Sequence, residues 1–355
     1  MVVAIDVSPL QTGHKVRGAG FYLENLKRAL IKYFPQYRYT FFVRGENLPE
    51  DVDLVHFPYF EPFFLARPVY KNYLTVVTVH DLTPIVFKKH FPRGIKGEIK
   101  WQMQKYALKR ASAIITDSNC SKKDIIKRVG VSQDRVNVIY LAAGEEFKRI
   151  MNHESRIKNL KKKYKLPEKF VLYVGDVTWN KNLPRLVEAV KSLNIPLVMV
   201  GKALVSEDFD RTSPWNKDLV KVLDIIQDQK TKNKEQIVRL GFVPTEDLVG
   251  IYNLATVFVM PSLYEGFGLP ILEAMSCGCP VITTKEGSLE EVAGDAAYFV
   301  DAKSTESIAN GIKKVFNDGK LQKELSEKGL KRANEFSWKK TASDTLSVYR
   351  QVLGN

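Results

Sequence analysis

Twelve short runs rich in Val, Ile, Leu and Phe recur along the chain, with stretches of helical apolar spacing between them. No other feature constrains the fold as tightly. A run that stays apolar on both sides of the pleat suits a strand covered on both faces, the condition of a parallel sheet. The front runs are VVAID (2–6), YTFFV (39–43), LVHF (54–57), LTVVTVH (74–80), AIITDS (113–118) and VNVIY (136–140). Helical spacing covers 21–34, 98–111 and 119–129. A charged segment, 148–169, predicts a linker with a solvated helix, after which the alternation restarts. The second series is FVLYVG (170–175), PLVMV (196–200), QIVRL (236–240), TVFVM (256–260), PVITT (280–284) and AYFVD (297–301). Two successive arrays of this kind predict two doubly wound α/β domains, 1–150 and 165–337. Ligands of such sheets lie beyond the carboxyl ends of the strands, so the expected site is the cleft between the two.

The charge is uneven. Of 54 Lys and Arg and 40 Asp and Glu, net +14, residues 1–200 hold 34 basic and 18 acidic side chains, and the remainder hold 20 and 22. Cys120, Cys277 and Cys279 are too few and too odd for a disulfide framework, and Cys277 and Cys279 lack neighbours for a zinc site. The start, MVVAIDVSPL, has neither a basic leader nor a long apolar stretch. No run approaches the roughly 18 apolar residues of a membrane span. The expectation is a cytoplasmic protein, with peripheral contact at the inner face of the cell membrane left open.

Chemistry concentrates in SLYEGFGLPILEAMSCGCPVI (262–282). A buried strand ends near Met260, a loop carries Glu265, Gly266 and Gly268, and Pro270 fits the first turn of a helix. Glycines let backbone approach a ligand, and a helix start directs N–H groups at an anion. Glu273, read as lying in the first helical turn, could take both hydroxyls of a ribose diol or simply complement the helix dipole. In the front half, Gly18 and Gly20 follow the first strand in a βα turn, and His80 ends an apolar strand. Asp81 either orients that imidazole or caps its loop.

E-G-F-G-L-P-x-x-E-A-M resembles the signature of retaining glycosyltransferases of family 4, whose fold is GT-B, two Rossmann-like domains facing across a cleft. RGAGFYLENL (17–26) is similar to that family's glycine loop and helix, and VTVHDLTP (77–84) to its His-containing loop. YVGDVTWNKNL (173–183) resembles its phosphate loop, and SLEEVAGDAAYFVD (288–301) its late donor-side segment. The likeness spans nearly the whole chain and is greatest to bacterial mannosyl- and rhamnosyltransferases of surface polysaccharide synthesis.

The resemblance implies that Glu273 binds the donor ribose and that Glu265 sits beside the transferring sugar. It implies backbone contacts to sugar and pyrophosphate from Gly266, Phe267, Gly268 and Leu269, with Gly18 and Gly20 facing the pyrophosphate. His80, with Asp81, would contact the donor sugar, and Lys181 would neutralise the departing phosphate. The chain departs from the family pattern at Asp176, where Thr or a basic residue is common, and at Asn180, where Arg is common. Arg185 or Lys202 is the expected second cation. The last helix, 338–355, is expected to cross back to the front domain.

Asp51-x-Asp53 and Asp208-x-Asp210 look like metal motifs, but their settings read as solvated turns, and no metal or cofactor is expected. The implied reaction is metal-independent transfer of a hexose, mannose-like favoured, with retention. The donor is a nucleotide sugar, GDP-sugar favoured over UDP- or dTDP-sugar, and the acceptor a glycan or a polyprenyl-linked glycan. The alternatives are an epimerase-like enzyme of the same fold and a basic nucleic-acid-binding protein, the latter without any supporting motif. The stretch 86–110 mixes eight Lys and Arg and His90 with Phe87, Phe91, Ile95, Ile99, Trp101 and Tyr106, which suits an anionic bilayer or a lipid-pyrophosphate acceptor.

Overall fold

The computed structural model describes residues 1–13, 18–63, 73–150, 154–206, 208–227 and 236–354. The chain forms two compact units, Met1–Ala142 with Phe336–Asn355, and Ala143–Glu335. The first sheet contains β1 (Val2–Asp6), β2 (Arg38–Phe42), β3 (Leu54–Phe57), β4 (Leu74–Thr78), β5 (Ala113–Thr116) and β6 (Val136–Val138). The second contains β7 (Val171–Val174), β8 (Leu197–Val200), β9 (Ile237–Leu240), β10 (Val257–Met260), β11 (Val281–Thr283) and β12 (Tyr298–Phe299). Helices in the front are α1 (Gly18–Tyr33), α2 (Thr83–Val86), α3 (Gly94–Lys109) and α4 (Asn119–Val129). They are followed by α5 (Glu154–Tyr164), α6 (Leu183–Leu193), α7 (Lys217–Gln227), α8 (Thr245–Leu254), α9 (Leu269–Ser276) and α10 (Leu289–Ala293). The chain ends with α11 (Thr305–Asn317), α12 (Gly319–Ala333) and α13 (Trp338–Leu353).

Both sheets are parallel throughout, with orders β2-β1-β3-β4-β5-β6 and β12-β11-β10-β7-β8-β9. Every residue of β3, β5, β8 and β10 is buried, which is why these strands read as continuous apolar runs. In each sheet the winding reverses once, between β1 and β3 and between β7 and β10. A reversal leaves adjacent strands whose following loops diverge to opposite faces, opening a crevice at their carboxyl ends. All twelve expected strands form, but several stop early. His80, Asp117 and Gly175, read as strand ends, lie just beyond them, where the ladder runs out and the chain turns.

The boundary falls earlier than expected. Residues 143–150 pack in the second unit, where Ile150 N–H donates to Asn253 Oδ1 at 2.8 Å. Nor is α5 a linker helix: Leu160 is 4% exposed, and Lys163 and Tyr164 both bond Asp247 of α8 at 2.7 Å. The last helix, α13, belongs to the first unit, where Thr341 Oγ1 donates to the Tyr140 carbonyl at 2.7 Å.

Helix α3 is apolar on two faces. Trp101, Ala107 and Leu108 are buried, while Ile95, Ile99, Met103 and Tyr106 stand 81%, 56%, 40% and 51% exposed. The exposed four are spaced four, four and three residues apart, so they share one stripe, with Lys96 and Lys100 on one flank and Lys105 and Lys109 on the other. No helix of the described residues is long and apolar enough to cross a membrane.

In the second unit one polar side chain ties three segments. Asn182, in the left-handed region at φ +59°, caps α6, and its Nδ2 donates to the carbonyls of Pro261 at 2.9 Å and Ala302 at 2.7 Å. Asn tolerates this conformation better than most residues. Asn182→Ala leaves two buried carbonyls without a donor, each costing about 1–3 kcal/mol. The urea midpoint should fall by an amount equivalent to about 2–4 kcal/mol. A midpoint unchanged from the parent would show that these bonds do not hold the strand ends.

Candidate functional site

The loops that follow β7 and β10 flank the reversal of the second sheet, and they bring Lys181 to Glu265. Lys181 closes a short turn, Trp179–Lys181, and its Nζ lies 2.8 Å from both Glu265 carboxylate oxygens. Ser262 Oγ donates to Glu265 Oε1 at 2.6 Å, and the Glu265 side chain is 8% exposed. A carboxylate this buried needs its charge met, and here one ammonium and one hydroxyl meet it.

The backbone of this loop is held from behind. Ser288 Oγ lies 3.0 Å from the Glu265 carbonyl and 2.9 Å from that of Phe267, and Asn180 Nδ2 donates to the Tyr264 carbonyl at 3.0 Å. Gly287, at φ +65°, passes so close that a Cβ there would sit 2.6 Å from the Glu265 carbonyl oxygen. Gly268 caps α9 at φ +98°, and a side chain there would press on Leu289 at 2.8 Å. The N–H groups of Gly268 and Leu269 find no acceptor among the described residues, and Pro270 has none to offer. Two free donors at a helix start are groups of the kind that can meet an anion.

Glu273 lies in the second turn of α9 and not, as expected, in its first. It is buried, and Tyr252 O–H donates to its Oε2 at 2.9 Å. Burial pushes its carboxyl up to about 7, with the Tyr252 hydroxyl opposing and the Glu146 charge adding to the rise. The two candidate second cations are unequal. Arg185 is tied to Asn182 Oδ1 at 2.8 Å, whereas Lys202 is exposed just beyond β8 and has no partner among the described residues.

In the first unit His80 stands at the carboxyl end of β4, its Nδ1 2.7 Å from Asp117 Oδ2. Asp117, which sequence reasoning missed, lies just beyond β5. The register pairs Thr78 with Ile115, so two residues further on His80 and Asp117 are neighbours. That register was the available signal. Asp81, expected either to orient the imidazole or to cap its loop, does the second: it accepts the Thr83 N–H at 2.7 Å. The edge of the His80 ring meets Tyr22 at 4.8 Å between centroids. His80 Nε2 is buried without a partner in hydrogen-bond geometry among the described residues. Burial disfavours the charged ring, but the adjacent Asp117 carboxylate outweighs it and raises the His80 pKa, with Asp81 and the nearby Pro58 carbonyl adding to the rise.

Gly18 and Gly20 are the first and third residues of α1 and do not form the expected preceding loop. No atom lies within 4 Å of a Cβ built on Gly18, so open space is what a glycine preserves there. Arg17 of the same motif lies outside the described residues. Of the acidic pairs, Asp51 binds Arg38, Asp53 accepts the Val2 N–H, and Asp210 accepts Thr212. Among the described residues no group of three or more His, Cys, Asp or Glu could hold a metal ion.

Asp117→Asn removes the charge beside His80 while keeping a polar group there, so burial then dominates. The ring should titrate below its ordinary 6.5 and no longer above it, as followed by NMR of the imidazole. A ring still titrating above 6.5 would rule out Asp117 as the cause.

Comparison with known proteins follows these lines. Residues 155–332 match the family model for glycosyl transferases group 1, and residues 7–143 the model for glycosyltransferase family 4. The serotype-specific mannosyltransferase WbdA of Escherichia coli is 31% identical over 286 residues, covering 79% of this chain. The chain spans about a third of that relative, 34% of its length. The O-antigen chain mannosyltransferase B of Escherichia coli is 30% identical over 282 residues, 78% of this chain and 70% of the relative. Among solved structures, sucrose-phosphate synthase from Thermosynechococcus elongatus superposes with TM-score 0.76 at 19% identity, covering 100% of this chain and 99% of that one. Anabaena Alr3699/HepE in complex with UDP-glucose gives 0.73 at 18%, covering 98% and 100%. With both halves matched and two parallel six-stranded sheets in place, the chain belongs to the group 1 and family 4 glycosyltransferases and has the GT-B fold.

Proposed function

We propose that the chain transfers a hexose, mannose-like, from a nucleoside-diphosphate sugar to a glycan or polyprenyl-linked glycan, with retention and without a metal ion. The observation that carries this reading is the Lys181–Glu265 pair together with the two free N–H groups that start α9. A diphosphate seated on those N–H groups would draw Lys181 toward it, neutralising charge as the leaving group departs. Lys202 is the second cation, since Arg185 is already engaged. The curated relatives named for mannose transfer and O-antigen synthesis support the sugar and the acceptor class. The Anabaena structure is a complex with UDP-glucose, which keeps UDP-sugars beside GDP-sugars as donors to test.

Retention has two routes, a covalent glycosyl-enzyme or attack on the leaving-group face. Glu265 meets Lys181 with both oxygens, and Ser262 also donates to one of them, so it is poorly placed as a nucleophile. We favour attack on the leaving-group face, with the diphosphate taking the acceptor's proton. Glu265→Gln should then lower turnover at least about a hundredfold while the nucleotide still binds, measured against purified GDP-, UDP- and dTDP-sugars in the presence of EDTA. Full activity in this variant, a strict need for added metal, or an inverted product would each sink the assignment. Donor consumption without any acceptor would point to an epimerase-like enzyme instead.

Glu273 makes binding depend on pH. Ribose hydroxyls donate to the ionised carboxylate, so a carboxyl held near 7 must lose its proton on binding. Affinity is fully present above about 7 and weakens as pH falls through it, approaching tenfold per unit. Calorimetry at pH 6 should detect proton release on nucleotide binding, and Glu273→Gln should abolish that release. Without ligand the sign reverses: the raised pKa costs folding stability as pH climbs from 4.5 to 7.

The exposed stripe of α3 with its lysine flanks suits the surface of an anionic bilayer, where apolar side chains enter the headgroup region and cations meet lipid charge. The first unit carries 25 Lys and Arg against 13 Asp and Glu, while the second is near balance at 29 against 27. Both features support a position at the cytoplasmic face of the membrane. Sedimentation with anionic vesicles should capture the protein, and Ile95→Glu with Ile99→Glu should release it. Equal capture by neutral vesicles would remove the electrostatic half of the argument.

A further inference from the structure

A chain of buried polar groups in the first unit, outside the candidate site, leads to its histidine. Tyr349 O–H meets His56 Nδ1 at 2.6 Å, and His56 Nε2 meets Thr78 Oγ1 at 2.8 Å. Thr78 Oγ1 in turn meets Tyr22 O–H at 3.1 Å, and the Tyr22 ring stands at 83° to the ring of His80. All four linking residues are 0–1% exposed. They come from four elements: α13, β3, β4 and α1. Helix α13 reaches the same place by a second route, the Trp338 ring lying 6.1 Å from the rings of both Tyr22 and Phe21.

Apolar residues would fill this layer at lower desolvation cost than three hydroxyls and an imidazole, so the chain is an expensive way merely to pack a core. Its members also constrain one another. A neutral His56 accepts on one ring nitrogen and donates on the other, so it bridges the Tyr349 and Thr78 hydroxyls in either tautomer. Burial holds it uncharged, lowering its pKa to about 3, with the nearby charge of His80 acting in the same direction. The His80 ring, for its part, has one hydrogen bond of regular geometry, to Asp117 at Nδ1, with the Pro58 carbonyl nearby. One bond fixes a nitrogen but leaves the tilt of the ring to its packing. An edge-to-face contact from a clamped phenol sets that tilt.

We propose that Tyr349, His56, Thr78 and Tyr22 are positioning residues for His80, and that the C-terminal helix α13 thereby sets where the free Nε2 of that ring points. The proposal rests on the reading of His80 as a donor-contacting group for its effect on rate, but not for its effect on the ring. A misplacement of about 1 Å at a reacting centre can cost up to about a hundredfold in rate, which sets the scale of the expected effect.

The test uses the full chain labelled at the Cε1 carbon of its five histidines, with the His80 line identified by its loss in His80→Gln. Thr78→Val is nearly isosteric but cuts both links of the hydroxyl. Thr78→Ser keeps them. Tyr349→Phe cuts the first link without touching His80. Thr78→Val and Tyr349→Phe should move the His80 line and its titration midpoint, and Thr78→Ser should restore both. In the transfer assay the first two should lower kcat about tenfold or more with donor KM within about twofold. Ser347→Ala, on the exposed side of α13, should change neither. A His80 line unmoved in Thr78→Val and Tyr349→Phe, even with lowered Tm, would overturn the proposal and leave the chain a packing device. A line that moves while kcat holds would overturn the positioning role in catalysis. If the parent protein transfers no sugar, the functional reading fails, and the line alone then decides the proposal.

Discussion

The parallel pairing of β7 with β10 is the constraint on which the candidate site depends. These strands are distant in sequence, yet Val171 pairs with Val257 and Leu172 with Phe258 across the point where the winding reverses. The loops leaving the two strands must therefore share one edge of the sheet, and that edge is where Lys181 meets Glu265. Everything around the pair stabilises the same arrangement. Asn180 and Asn182 bond carbonyls at the β10 end, Ser288 grips the loop from behind, and Gly287 makes room for it. A salt bridge this buried contributes little net stability, since desolvation offsets most of the attraction. Its effect is to fix the Lys181 ammonium at the loop that leads into α9.

The basic surplus has a local meaning. In helix α3 the buried face is set by Trp101, Ala107 and Leu108, and the opposite face exposes Ile95, Ile99, Met103 and Tyr106 between lysines. Leaving such large side chains in water forgoes the transfer free energy of each, roughly 1.5–3 kcal/mol on full burial. A surface of this kind fits a partner that is apolar within and negative at its rim. The same helix shows why average charge alone is a poor guide: the second unit, which holds the Lys181–Glu265 pair, is close to neutral.

Most of the fold was legible from residues alone because both sheets are buried on two faces, and burial on two faces writes itself as unbroken Val and Ile runs. The ends of strands were not legible, since nothing local says where a neighbouring strand stops. That is why His80 and Asp117 were read as strand residues although they stand beyond the ladder. The same limit hid their contact. Asp81 adjoins His80 in sequence and looked the natural orienter, but a neighbour in sequence points elsewhere, while Asp117, 37 residues on, lies beside the ring across the sheet. Glu273 was placed one turn too early because a helix start depends on the left-handed turn at Gly268. The charged stretch around α5 read as solvated because its anchors, buried Leu160 and half-buried Tyr164, are few among many lysines.

The sequence by itself determined the two parallel sheets, the loop with Glu265, Gly266 and Gly268 at a strand end, and the presence of a lysine and a histidine at other strand ends. These follow from local composition, because periodicity and turn residues act over a few positions. Only the tertiary structure decided which charged groups meet. It gave Lys181 to Glu265, Asp117 to His80, Arg185 to Asn182, and Tyr349 to His56 across 293 residues of chain. Such pairings depend on strand order and register, which are properties of the whole packed sheet and of no single segment.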